Sequence, residues 1–211
     1  MEVIIIPTQT FFNLDQDKQQ RIVSCAIDEF SKRDFETAKL SNIIKDAKIP
    51  RGSLYQYFKN KKDLYLYLMD ITAKEKMSYM GNLLSNPMDL PFFELFHKLY
   101  LAGIEFASGN PKMVKMTSLL LQNKGEIYDA VFSNNLHLAR DLYESMIKRD
   151  QELGRIRNDI DSCILADLII DMTVNISVNQ IDKYNEFKYD KMLERVTQVM
   201  KIFEHGVMKG K

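Results

Sequence analysis

"IPRGSLYQYFKNK", Ile49–Lys61, gathers Arg51, Lys59 and Lys61 around a core of Ser-Leu-Tyr-Gln-Tyr-Phe and contains no acid. Leu54 and Phe58 stand four apart, the spacing that puts two apolar side chains on one helix face. Pro50 ends the element before it and suits the first turn of the next one, because its missing N–H is one that a helix start leaves unpaired. The stretch therefore predicts a helix of about seven residues. Upstream, across the tight connection "AKIP", Leu40, Ile43, Ile44 and Ala47 outline another short helix, with Thr37 as a candidate cap. Before that, Ile22, Ala26, Ile27 and Phe30 give one apolar face to a helix at about 17–32, with Asp15 or Asp17 as its N-cap. Two short helices joined by a tight turn and braced by a longer one have helix-turn-helix spacing, in which the second helix enters the major groove of DNA.

Charge supports that reading. Between Lys39 and Lys62 there are seven basic residues, Lys39, Lys45, Lys48, Arg51, Lys59, Lys61 and Lys62, against the single acid Asp46. The segment is net +6 in a chain of formal net charge zero, so the remainder carries −6. A positive module on a negative body can meet phosphates with one face while the body stays clear. Arg51, at the start of the second short helix, has a planar fork suited to guanine O6 and N7. Ser53 and Gln56 can reach base edges or phosphate, the hydroxyls of Tyr55 and Tyr57 suit phosphate contacts, and Lys48 and Lys61 add charge beside them. Charge clusters on proteins are also commonly plain solvated surface, and tyrosines at helical spacing commonly pack.

The stretch "RIVSCAIDEFSKRDFETAKLSNIIKDAKIPRGSLYQYFKNKKDL" resembles the DNA-binding domain of the TetR family of bacterial transcription regulators. Its first helix ends in an aromatic, and its recognition helix is followed by Tyr-Phe-x-x-Lys. The resemblance implies phosphate contacts for Thr37, Tyr55, Tyr57 and Lys61, and places Pro50, Arg51 and Ser53 at or near base edges. It also implies an all-helical C-terminal domain for ligand binding and dimerisation, and repression rather than activation. Two departures stand out. Arg33-Asp34 occupies the place of a common glycine after the first helix, and Ile49-Pro50 replaces Val-Ser, removing a hydroxyl cap.

The reading of the whole chain is all-α: a helix-turn-helix DNA-binding domain at 1–65 and a helical effector-binding and dimerisation domain at 66–211. Further helices are expected near 61–84, 92–107, 112–122, 126–152, 161–181 and 189–208, with the fourth helix turning Leu64, Leu68, Ile71 and Ala73 or Met77 inward. The "EVIII" start could form a short extended arm. The apolar content between 80 and 150 suggests a largely apolar or aromatic effector, with Phe96, His97, Tyr100, Met116, Leu120, Asn123, Phe132, His137 and Tyr143 as candidate contacts. Ile164, Leu165, Leu168 and Met172, with Val196, Met200 and Phe203, line two helices suited to a four-helix dimer seam, and a two-fold dimer predicts a palindromic operator.

Other classes are disfavoured. No run approaches the length of a membrane span, and the first dozen residues lack the basic start of a secretion signal, so a cytoplasmic protein is expected. Cys25 and Cys163 are far apart and read as reduced thiols; with three isolated histidines, neither a metal site nor a cofactor is expected. No catalytic or phosphate-cradling motif marks an enzyme. A helical protein-interaction module without DNA binding is the alternative, and salt-sensitive DNA binding separates the two.

Overall fold

The computed structural model describes residues 7–123, 125–184 and 189–206; the "EVIII" start lies outside them. The architecture is all-α, without a strand among the described residues. In chain order the helices are α1 (Gln9–Phe12), α2 (Gln16–Lys32), α3 (Leu40–Asp46), α4 (Arg51–Tyr57), α5 (Lys61–Leu84), α6 (Phe92–Gly109), α7 (Pro111–Gln122), α8 (Glu126–Glu152), α9 (Ser162–Tyr184) and α10 (Tyr189–Gly206), with a 3-10 turn at Pro87–Asp89. The long helices fall where their apolar periodicity puts them.

Contacts group the chain into two units. One runs to Glu75 and takes in Asn110–Val131; the other takes Lys76–Gly109 and the chain from Phe132 on. This grouping differs from the division expected at residue 65, because the first unit runs ten residues further and takes in Asn110–Val131 as well. In the first unit Ile22, Ala26, Ile27 and Phe30 are buried, and α7 packs along α2. Leu64 and Leu68 of α5 point inward as expected, but Ala73 and Met77 are exposed and Thr72 is buried instead. The buried face of α5 is two residues wide at 64–65 and 68–69 and narrows to Thr72, which leaves 73 and 77 outside.

The turn between α3 and α4 is built by the backbone. The Ile49 N–H donates to Ile44 O at 3.2 Å and the Lys48 N–H to Lys45 O at 3.2 Å, the paired bonds of a Schellman C-cap. Lys48 occupies the left-handed position of that cap, at φ 52°. Ile49 then buries its side chain and Pro50 sits at the N-cap of α4, one residue earlier than the first turn. No side chain caps α4; neither Asp46 nor any hydroxyl replaces the missing one.

The second unit has its core in Phe92, Phe93, Leu95, Phe96 and Leu99 of α6, packed with Met146 and Ile147 of α8 and Leu165, Ala166 and Ile169 of α9. Buried Asp150 fixes this arrangement. Its Oδ2 accepts the Phe92 N–H at 2.7 Å, filling an amide that the start of α6 leaves open, while Oδ1 accepts from Arg149 and Arg155. Arg149 also donates to the carbonyls of Met88 and Leu90, both at 2.6 Å, and so ties the 3-10 turn to the end of α8.

Lysine in the left-handed region carries a cost that glycine avoids. Lys48→Gly is therefore expected to raise the unfolding free energy by about 1 kcal/mol, and Lys48→Val to lower it, in urea titrations followed by circular dichroism.

Candidate nucleic-acid interface

α4 has two sides. Leu54 and Tyr57 are buried, while Arg51, Gly52, Tyr55 and Gln56 are exposed and Ser53 is half-buried. The exposed side holds most of the residues assigned to DNA. Tyr57 is the correction: it is only 3% exposed, with its ring 6.0 Å from that of Phe11, so it belongs to the inner face rather than the outer one. Its position three after Leu54 explains this, because residues three apart share a helix face.

Of the seven basic residues, Lys39, Lys45, Lys48, Arg51 and Lys59 are exposed, and their side chains make no bond or ion pair among the described residues. Lys62 pairs with Glu126 and holds that carboxyl below its usual range. The Lys61 ammonium donates to Glu36 O at 3.1 Å and Ala38 O at 3.4 Å, and stands 4.6 Å from the centre of the Phe35 ring. Lys61 thus ties the start of α5 to the loop before α3. Asn60 caps the same helix, its Oδ1 accepting the Asp63 N–H at 2.8 Å.

Thr37 is exposed but does not cap α3, which begins three residues later with Lys39 at its N-cap. Its hydroxyl and its N–H both donate to Asp34 Oδ1, at 2.5 and 2.8 Å, holding that carboxyl below its usual range. Asp34 is how the turn after α2 is made without glycine: Arg33 stays extended and the carboxylate gathers the next three residues.

Three residues that the sequence patterns do not single out hold the motif in place. Glu29 is buried; its carboxylate accepts the Lys39 N–H at 2.9 Å, the Asn42 amide at 3.0 and 3.1 Å and Arg33 at 2.8 Å, so a residue on α2 caps the start of α3. The Thr8 N–H donates to Tyr57 O at 3.0 Å and its hydroxyl to Gln56 O at 2.6 Å, satisfying carbonyls that the end of α4 leaves open. Phe11 is fully buried against Phe58 and Tyr67 as well as Tyr57. No local period marks these residues, because apart from Arg33 the partners named here lie ten or more positions away.

The effector candidates are not one set. Met116 and Leu120 are buried in the first unit, where α7 packs on α2, and exposed Asn123 donates to Leu119 O at 2.9 Å. In the second unit Phe96 is core, its ring near those of Phe92, Tyr100 and Phe203; His97, Phe132 and Tyr143 are half-buried and His137 is exposed. The expected dimer residues also divide. Ile164 and Leu168 are 59% and 60% exposed, whereas Leu165 and Val196 are buried within the unit. Met172 and Met200 are half-buried, and Phe203 packs on Phe93 at 4.9 Å. Helical spacing gives a face, and here α6 covers part of the face expected for a partner.

The chain resembles known regulators in sequence and in fold. Residues 22–68 match the family model described as bacterial regulatory proteins, tetR family. The chain is 27% identical over 111 residues to the HTH-type transcriptional regulator YhgD of Bacillus subtilis (strain 168), a match covering 53% of this chain and 55% of that protein. Its fold is similar to a TetR family transcriptional regulator from Chloroflexus aurantiacus J-10-FL, with a TM-score of 0.76 and 23% identity over 97% of this chain and 100% of that one. It is similar also to the transcriptional regulator FadR from Bacillus subtilis in complex with stearoyl-CoA, with a TM-score of 0.68 and 15% identity over 87% and 96%.

Glu29→Ala leaves three sets of donors without their acceptor and is expected to cost about 2–4 kcal/mol in chemical denaturation. Arg51→Ala, which removes an exposed and unpartnered side chain, is expected to stay within about 0.5 kcal/mol of the parent.

Proposed function

We propose, for a chain that belongs to the TetR family of bacterial transcription regulators, a repressor that grips a palindromic DNA operator as a homodimer and is released by a largely apolar small molecule. One observation carries the DNA half of this reading: α4 turns Arg51, Tyr55 and Gln56 outward while Leu54 and Tyr57 anchor its other side, beside five cations that have no protein partner among the described residues. A helix presented this way fits the major groove, with its first residues nearest the bases. Arg51 reads a base. Lys39, Lys45, Lys48 and Lys59 neutralise phosphates, with Thr37 and the Tyr55 hydroxyl as further backbone contacts and Pro50 and Ser53 beside the bases. Lys61 serves phosphate only by leaving or sharing its loop carbonyls, so its first role is to set the angle between α5 and the motif.

Dimerisation is supported by exposed apolar side chains on the second unit. Ile164 and Leu168 lie one turn apart on α9, and Ile202 on α10 is 68% exposed. Large aliphatic side chains left in water favour a partner surface. These three replace Leu165, Val196 and Phe203 as the seam. The effector half rests on the aromatic and methionine content of the second unit and on similarity to a regulator bound to stearoyl-CoA. α5 and α8 each contribute to both units, so a ligand that favours one conformer of the second can alter the spacing of two recognition helices.

Arg51→Ala is expected to cost about 1–3 kcal/mol on the preferred operator and to relax preference at one position of each half-site, while binding to scrambled DNA changes little. Fluorescence anisotropy on both duplexes across a salt series measures this; unchanged sequence preference would reassign Arg51 to phosphate. Leu168→Asp should convert the dimer to monomer in sedimentation at micromolar concentration, and Phe203→Asp should instead lower the unfolding midpoint, since its ring is covered within the unit.

A further inference from the structure

The folded chain gives Gly52 no reason to be glycine. It is the second residue of α4, it is exposed, and a Cβ built on it meets no atom within 4 Å. Its backbone lies outside the left-handed region, which Gly154 alone occupies among the described glycines. Alanine would fit at this position and would leave the unfolded chain fewer conformations to lose. The glycine also falls in a helix of seven residues without a side-chain cap, the element least able to bear a poor helix former.

Open space alone decides nothing, since Gly81, Gly125 and Gly206 have it too. Gly52 differs by its neighbours. Arg51 stands beside it, Tyr55 and Gln56 stand three and four residues on and so on the same face, and all three are exposed. Long side chains around a bare stretch of backbone make a notch on the outer side of α4, and the volume missing from it is that of a methyl group. Glycine serves where a backbone must come close to a ligand.

Chemistry narrows what fits the notch. It offers no side-chain donor or acceptor. In the major groove guanine presents N7 and O6, adenine N7 and N6, and cytosine N4, all of which need a hydrogen-bond partner once water is displaced. Thymine alone presents an apolar group there, its C5 methyl.

We propose that Gly52 is a specificity-determining residue, whose bare backbone receives the C5 methyl of a thymine in each operator half-site. The inference deepens the reading of α4 as the recognition helix and rests on it.

The test uses the full chain and the duplex that it selects from a random pool, with anisotropy measured on that duplex, on a set in which each thymine in turn is replaced by uracil, and on scrambled DNA. Uracil lacks only the methyl. For the parent chain, one position of each half-site is expected to lose about fourfold in affinity on this replacement, the worth of one buried methyl. Gly52→Ala should lose about tenfold or more on the selected duplex, as a mismatched base does, and regain part of that loss when uracil stands at the same position, because the new Cβ then has room. Binding to scrambled DNA should change less than about twofold, and the unfolding temperature of the variant should be equal or higher. The uracil scan of the parent needs no variant. No uracil-sensitive thymine, unchanged operator affinity in Gly52→Ala, an equal loss on scrambled DNA, no recovery with uracil, or a lower unfolding temperature would each overturn the assignment while the DNA reading stands. A parent chain that selects no duplex would remove that reading and this inference with it.

Discussion

A recognition helix of seven residues is too short to exist by itself, and much of the first unit is organised around that constraint. Isolated helices below about 12–15 residues are marginal in water even with favourable sequences. α4 has no side-chain cap at its start and ends after two turns. Its shape must come from outside. The Schellman turn through Lys48 sets its entry, Leu54 and Tyr57 fasten one side, and Thr8 closes its last carbonyls from a segment nearly fifty residues away. Glu29 performs the same service for α3, which is equally short. The bonds that hold the motif are thus mostly tertiary, and the side of α4 that carries the Arg51, Tyr55 and Gln56 side chains is left free of them.

That division explains how much of the fold is legible in the sequence. Long helices announce themselves by period, and α5 and α8 match their expected limits of 61–84 and 126–152. The helix-turn-helix is legible because the spacing of Leu40, Ile43 and Leu54 and the cluster of cations are local features. Tyr57 misleads for a physical reason: the hydroxyl marks it as polar, but register sets it beside Leu54 and Phe11 fills the space below it. Glu29 and Thr8 are invisible because a carboxylate or hydroxyl accepts or donates across any loop length. The dimer face is half legible. Periodicity places Ile164, Leu165 and Leu168 on one helix, but only packing shows that Leu165 is covered from within while its neighbours are bare.

Charge has a similar two-part logic. Within the motif, Lys61 and Lys62 are spent on the protein itself, one on loop carbonyls and the other on Glu126, while the remaining cations stay available. An exposed cation gains from phosphate because its approach releases condensed counterions. A cation already seated on carbonyls contributes less to that release. In the second unit Asp150 is buried, and both of its carboxylate oxygens accept from donors around it.

The central claim is that the outer side of α4 reads DNA. A structure of the chain bound to its operator duplex tests this most directly. The account predicts α4 in the major groove with Arg51 at a guanine, Tyr55 and the free lysines along the phosphates, and the α9 faces of two copies in contact. A duplex lying on another surface, or α4 held away from the groove with Arg51 in solvent, would contradict it.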